Sequence, residues 1–100
     1  MPTVIGRGEE PAARRFLVAG RVQGVGFRFS AQQVGERLRV AGWARNLADG
    51  RVEVHLQGGP GAMEGMVDWL RRGPAGAAVT SLEEVPTAAE PGLEGFVIRG

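Results

Sequence analysis

Apolar positions recur with two different periods along this chain, and each change of period marks an element. Residues 14–20 (RRFLVAG) carry Phe16, Leu17, Val18 and Ala19 as an unbroken apolar run, which predicts a buried strand. Phe27, Ala31, Val34 and Leu38 then follow at helical spacing, with Gln32, Gln33, Glu36 and Arg37 on the other side. Ser30 and Gln33 imitate a capping box that would start this helix later, but the apolar stripe begins at Phe27, so the start is placed there. In residues 51–57 (RVEVHLQ), Val52, Val54 and Leu56 alternate with Glu53, His55 and Gln57, the mark of a half-buried strand. Residues 42–46 (GWARN) precede it across Asp49-Gly50, a strong turn signal, so the two segments predict a β-hairpin.

Pro60 suits the first turn of a second helix, whose stripe is Met63, Met66, Val67 and Leu70. Asp68 and Arg72 form an i,i+4 pair on it, Arg71 and Arg72 suit its negative end, and Gly73-Pro74 stops it. Val79, Leu82 and Val85 are spaced by three, an awkward rhythm for the strand assigned there. Residues 87–95 form a loop and Phe96, Val97, Ile98 and Arg99 a short closing strand. The order β-α-β-β-α-β plus a terminal strand is the α+β, ferredoxin-like split βαβ sandwich. Two helices would cover one face of an antiparallel sheet and leave the other toward water. In that arrangement the first and third strands lie side by side, with the second beyond the third. The first and second strands then point the same way, and the loop after Gly20 and the segment at Asn46 share one sheet edge. Two strand spacings, about 10 Å, separate them.

Composition narrows the picture. One hundred residues fit one domain, assigned to residues 14–100, behind a flexible lead-in of residues 1–13 with Pro2, Gly6, Gly8 and Pro11. Cysteine is absent, which excludes disulfides and thiolate metal sites and suits a cytoplasmic location. A net charge of +1 provides no global field for nucleic acid or an anionic membrane. No segment approaches the roughly 20 apolar residues of a membrane span. All basic residues are arginine, a coding bias in the plain reading, although arginine is also the residue of forked phosphate contacts.

The segment between the first strand and first helix is the candidate for chemistry. Gly24 and Gly26 relax the limit on φ, so successive N–H groups of Gln23, Gly24, Val25, Gly26 and Phe27 can turn toward one point at a helix N-terminus. Arg28, in the first helical turn, could close such an anion cradle with a forked contact. The competing reading is a plain strand-to-helix turn, and on spacing alone both stand. The segment is neither a Walker loop, lacking Gly-Lys-Ser/Thr, nor a GxGxxG fingerprint, since Phe29 stands where a third glycine belongs.

The run GRVQGVGFR at residues 20–28 resembles the signature of the acylphosphatase family. A second signature of that family runs from Gly42-Trp43-Ala44-Arg45-Asn46 through Gly50 and Val52 to Gly58. Both match in residue type, spacing and order, and the similarity extends from about residue 14 to residue 99. Arg39 departs from the pattern, since members commonly carry a glycine at this helix end. An arginine there either takes the left-handed cap at a cost of about 1 kcal/mol or ends the helix differently. The lead-in is also longer than the family minimum.

The resemblance implies the ferredoxin-like fold and hydrolysis of acyl phosphates, mixed carboxylic–phosphoric anhydrides, to carboxylate and inorganic phosphate. It implies that Arg28 binds phosphate with the loop amides, that Asn46 holds the attacking water, and that no metal or cofactor takes part. The chain's single histidine and lack of a carboxylate pair agree with such a substrate, because a carboxylate leaves without a general acid. A monomer with no nucleic-acid or membrane partner is expected. The alternatives are a non-catalytic phosphate or acyl-phosphate binder, or an RNA-binding module. The residues of the third strand, Val52 to Leu56, lack the stacking aromatics of the latter. By their own patterns Asn46 and Asp49 also read as turn residues, His55 as solvated, Trp43 and Trp69 as packing, and Arg14-Arg15 as solvated. Arg21 and Arg45 lie near the site edge.

Overall fold

The computed structural model describes residues 12–100. Strand β1 (Ala12–Arg21), helix α1 (Phe27–Leu38), β2 (Ala41–Asn46), β3 (Val52–Gly58), α2 (Pro60–Arg72), β4 (Ala78–Val85) and β5 (Phe96–Arg99) follow in order. Residues 1–11 of the expected lead-in lie outside the described residues. Its last two, Ala12 and Ala13, already pair with Gly58 and Gln57 as the opening of β1.

The sheet runs β4-β1-β3-β2-β5, the ferredoxin-like order with one strand added. Its inner pairs are antiparallel, but β5 lies parallel to β2, with Gly42 opposite Phe96 and Ala44 opposite Ile98. The sheet is therefore mixed at this edge. Phe16, Val18, Val52, Val54 and Leu56 bury against Phe27, Ala31 and Val34 of α1 and Met63, Met66, Val67 and Leu70 of α2. Both helical stripes thus fall where their spacing placed them. Phe27 meets Trp69 across the two helices, ring centroids 5.2 Å apart. Gly35 lets α1 approach the sheet, because a Cβ there would strike the Phe96 ring.

Helix α1 starts at Phe27 with Gly26 as its N-cap and no side-chain cap, so the Ser30–Gln33 capping box does not form. On α2, Arg72 donates to the Asp68 carbonyl at 3.2 Å instead of pairing with its carboxylate. The three-residue rhythm of β4 has a structural cause. The register with β1 shifts between Ala19 and Gly20, so that Val79 faces Gly20 while Leu82 faces Val18. Thr80 is the extra residue of a β-bulge, which brings Val79 and Leu82 onto the core side together.

The second face of the sheet is not left to water. His55 is 0 % exposed, and Glu53 and Gln57 are also buried. This overturns the half-buried reading of β3 and the solvated reading of His55. The imidazole stacks on Trp43 at 5.6 Å, and its Nε2 lies 2.7 Å from Gln57 Oε1. Arg15 lies against His55 Nδ1, pairs with Glu53 and Glu90, and sits 5.0 Å over Trp43. The chain after β4 folds across this layer. Glu90 accepts from Trp43 Nε1 at 3.1 Å and pairs with Arg99, while its backbone N–H donates to Gln57 Oε1. Buried polar groups survive here because each finds a partner. Arg14 is likewise paired: its forked contact with Glu84, at 2.8 and 2.9 Å, holds that carboxyl below the usual carboxylate range.

Arg39 ends α1 in the left-handed region, φ 62° and ψ 41°, and is the one described non-glycine residue with positive φ. Its N–H donates to the Glu36 carbonyl at 3.2 Å. The cap is thus the left-handed one that glycine would take, held here against the Cβ clash of arginine. Its side chain is exposed. Arg39→Gly is therefore expected to stabilise the fold by about 1 kcal/mol, read as a higher urea midpoint with an unchanged m-value.

Candidate active site

The end of β1 and the start of α1 are joined by a turn whose conformation glycine permits. Gly24 has φ 78° and Gly26 φ 75°, and at neither would a Cβ meet anything within 4 Å. The backbone conformation, not space, calls for glycine at both. Gly26 accepts the first helical hydrogen bond, from the Ser30 N–H at 3.0 Å. The amides of Phe27, Arg28 and Phe29 thus have no partner within the helix, and Gly26 has no side chain to supply one. They face outward at the positive end of α1.

The turn, Arg28 and Asn46 line one cavity of about 210 Å³, together with Val22, Phe29 and Ile98. Four elements contribute: the β1–α1 turn, α1, the end of β2, and β5. Asn46 reaches it because Ala44 and Asn46 share the helix-facing side of β2. Arg45, one residue earlier, turns to the other face, pairs with Glu53 at 2.8 Å and lies over Trp43. Its expected place at the site edge is therefore corrected. Arg21 is exposed at the end of β1 and is not among the lining residues.

Arg28 Nη1 donates to the carbonyl of Arg99 at 2.6 Å. Among the described residues it has no acidic partner. One of five N–H donors is thereby committed to orientation, and the rest of the fork is available to a ligand. Among the expected loop residues, Gln23, Gly24, Gly26 and Phe27 line the cavity, whereas Val25 packs against the core. Gln23 has a further task that sequence reasoning missed. Its side-chain amide donates to the carbonyls of Leu47 at 2.8 Å and Arg51 at 3.0 Å, tying the turn to the β2–β3 hairpin. Asp49 closes that hairpin, taking the Arg51 N–H at 3.1 Å and its guanidinium at 2.9 Å, which keeps its carboxyl below the ordinary range. Phe29 and Ile98 also escaped the sequence reading. The available signal for Phe29 was an aromatic residue off the helix stripe.

An acylphosphatase family model matches residues 14–98, covering both glycine-bearing signatures. The chain belongs to the acylphosphatase family. It is 47% identical to an acylphosphatase of Rubrobacter xylanophilus over 85% of this chain and 77% of the relative. With an acylphosphatase of Alkalilimnicola ehrlichii the identity is 50%, over 84% of this chain and 93% of that one. The crystal structure of acylphosphatase from Bacillus subtilis superposes with a TM-score of 0.82 at 34% identity, covering 88% of this chain and 98% of the other. The family consists of enzymes that hydrolyse acyl phosphates.

The Gln23 brace carries a prediction. Gln23→Ala removes two hydrogen bonds between the turn and the hairpin that carries Asn46. It should lower stability by about 1–2 kcal/mol and weaken inhibition by inorganic phosphate. Urea unfolding and competitive inhibition measure the two effects separately.

Proposed function

We propose that this chain acts as an acylphosphatase in which Arg28 and the turn amides hold the phosphoryl group while Asn46 holds the attacking water. The carboxyl–phosphate bond is cleaved to a carboxylate and inorganic phosphate, without metal or cofactor. One observation carries the assignment of roles: the turn, Arg28 and Asn46 come from three separate elements and line a single cavity.

The chemistry asks little of the side chains. Phosphoryl transfer depends mainly on positioning and on charge stabilisation at the equatorial oxygens. Donors fixed at a helix N-terminus and one guanidinium meet that charge with little reorganisation. The Asn46 carboxamide can accept from and donate to one water, holding it in line with the departing oxygen. The water oxygen bonds to phosphorus, the bond to the acyl oxygen breaks, and the carboxylate leaves with the electron pair. The water's proton passes to a phosphate oxygen. A phosphate monoester would release an alkoxide, a far harder departure, and no acid lines the cavity to assist it. Phosphomonoesterase activity should be slight.

Residues 14–100 form the catalytic domain in this reading, and a cytoplasmic monomer is the working form. No described helix is long and apolar enough to cross a membrane. The sheet face that an RNA-binding module would use for stacking is occupied by the Glu90 segment and its ion pairs, which supports a small-molecule substrate over nucleic acid.

The test is loss of benzoyl phosphate in buffer containing a metal chelator. Asn46→Ala is expected to fold normally and lose about 100-fold in kcat with little change in KM. Arg28→Ala should raise KM and lower kcat together. Wild-type turnover no faster than that of Arg28→Ala would overturn the assignment.

A further inference from the structure

We propose that Phe29 and Ile98 form an acyl-binding rim that makes this site favour acyl phosphates with an aromatic or bulky apolar acyl group over acetyl phosphate. The inference rests on the phosphate reading above and places the half of the substrate which that reading leaves unassigned.

The described residues expose three large hydrophobic side chains: Phe29 at 58 %, Val97 at 41 % and Ile98 at 37 %. They do not form one patch. Val97 is in register with Trp43 and lies on the sheet face of the Glu90 layer, whereas Ile98 is in register with Ala44 and lies on the helix side. Phe29 follows Arg28 on α1 and stands about 200° around the helix from the buried Phe27. Phe29 and Ile98 both line the cavity that holds Arg28 and Asn46. Two apolar side chains are therefore held partly in water beside a polar site, where each would gain by being covered.

The lining residues divide by chemistry. The turn amides and Arg28 suit the dianionic end of an acyl phosphate. With the phosphoryl group there and a water at Asn46, the acyl group is directed toward the walls that remain, those of Val22, Phe29 and Ile98; Val22 is already buried in the core, and Phe29 and Ile98 are the two with surface left to cover. No carboxylate lines the cavity, and its one cation is Arg28, so nothing there complements a charged acyl group. A benzoyl ring can pack against the Phe29 ring edge-on or offset and against the Ile98 methyl groups. An acetyl group offers a single methyl and covers little of either.

The experiment compares kcat/KM for benzoyl phosphate and acetyl phosphate in the wild type, Phe29→Ala, Ile98→Ala and Phe29→Leu. Both positions are exposed, and circular dichroism checks the fold of each variant. The benzoyl-to-acetyl ratio is expected to fall about fivefold in Phe29→Ala, mostly through KM for benzoyl phosphate, and about twofold in Ile98→Ala. Phe29→Leu should lie between Phe29→Ala and wild type. Turnover of both substrates with an unchanged ratio in every variant overturns the rim and leaves the phosphate site standing. Wild-type protein that turns over neither substrate removes the phosphate reading and the rim with it.

Discussion

The antiparallel insertion of β3 between β1 and β2 is the constraint on which the site depends. It makes β1 and β2 point the same way, so the turn after β1 and the residue ending β2 emerge at one edge of the sheet. A shift of β2 by one residue would turn Asn46 to the opposite face and bring Arg45 to the cavity. The register is secured from both sides of β3. Val52, Val54 and Leu56 bury against the helices, and Glu53, His55 and Gln57 are held by ion pairs, ring stacking and hydrogen bonds. Few strands in a small domain are pinned on both faces, and this one is the spacer between the two halves of the site.

Much of this was legible in the residues because local and global preferences agree. Phe27, Ala31, Val34 and Leu38 have one period and one burial face, and the Asp49-Gly50 hairpin has one suitable turn. Signals failed where a distant segment changed the environment. Alternation in β3 implied a wet polar face, and the return of residues 86–95 over the sheet, with Arg15, Trp43 and Arg45 packed beside it, reverses that. The β4 rhythm looked irregular because a bulge is a property of two paired strands and cannot be seen in one. Asn46 could be located by topology, but the brace from Gln23 depends on where a hairpin carbonyl points. Phe29 and Ile98 are distant in sequence and come to one cavity because β5 joins the sheet beside β2 and packs against α1.

The polar layer on the second face also bears on Arg28. Arg99 sits 4.6 Å over Trp43 and pairs with Glu90 on that face, while its own backbone carbonyl accepts from the Arg28 guanidinium. One residue of β5 therefore joins the packing of the sheet's back to the aim of the side chain proposed to hold phosphate. Such a link costs no extra element, since a strand presents its side chain and its backbone in different directions.

The strand order has a kinetic consequence as well. Apart from the β2–β3 hairpin, neighbouring strands in this sheet are remote along the chain, as the Arg14–Glu84 contact across 70 positions illustrates. Ordering the central strand requires large loops to close before the contacts that reward them exist. A helical bundle of equal length, built from local contacts, escapes that delay. The connectivity that gathers the glycine-bearing turn and Asn46 at one rim thereby makes this domain slower to fold than such a bundle.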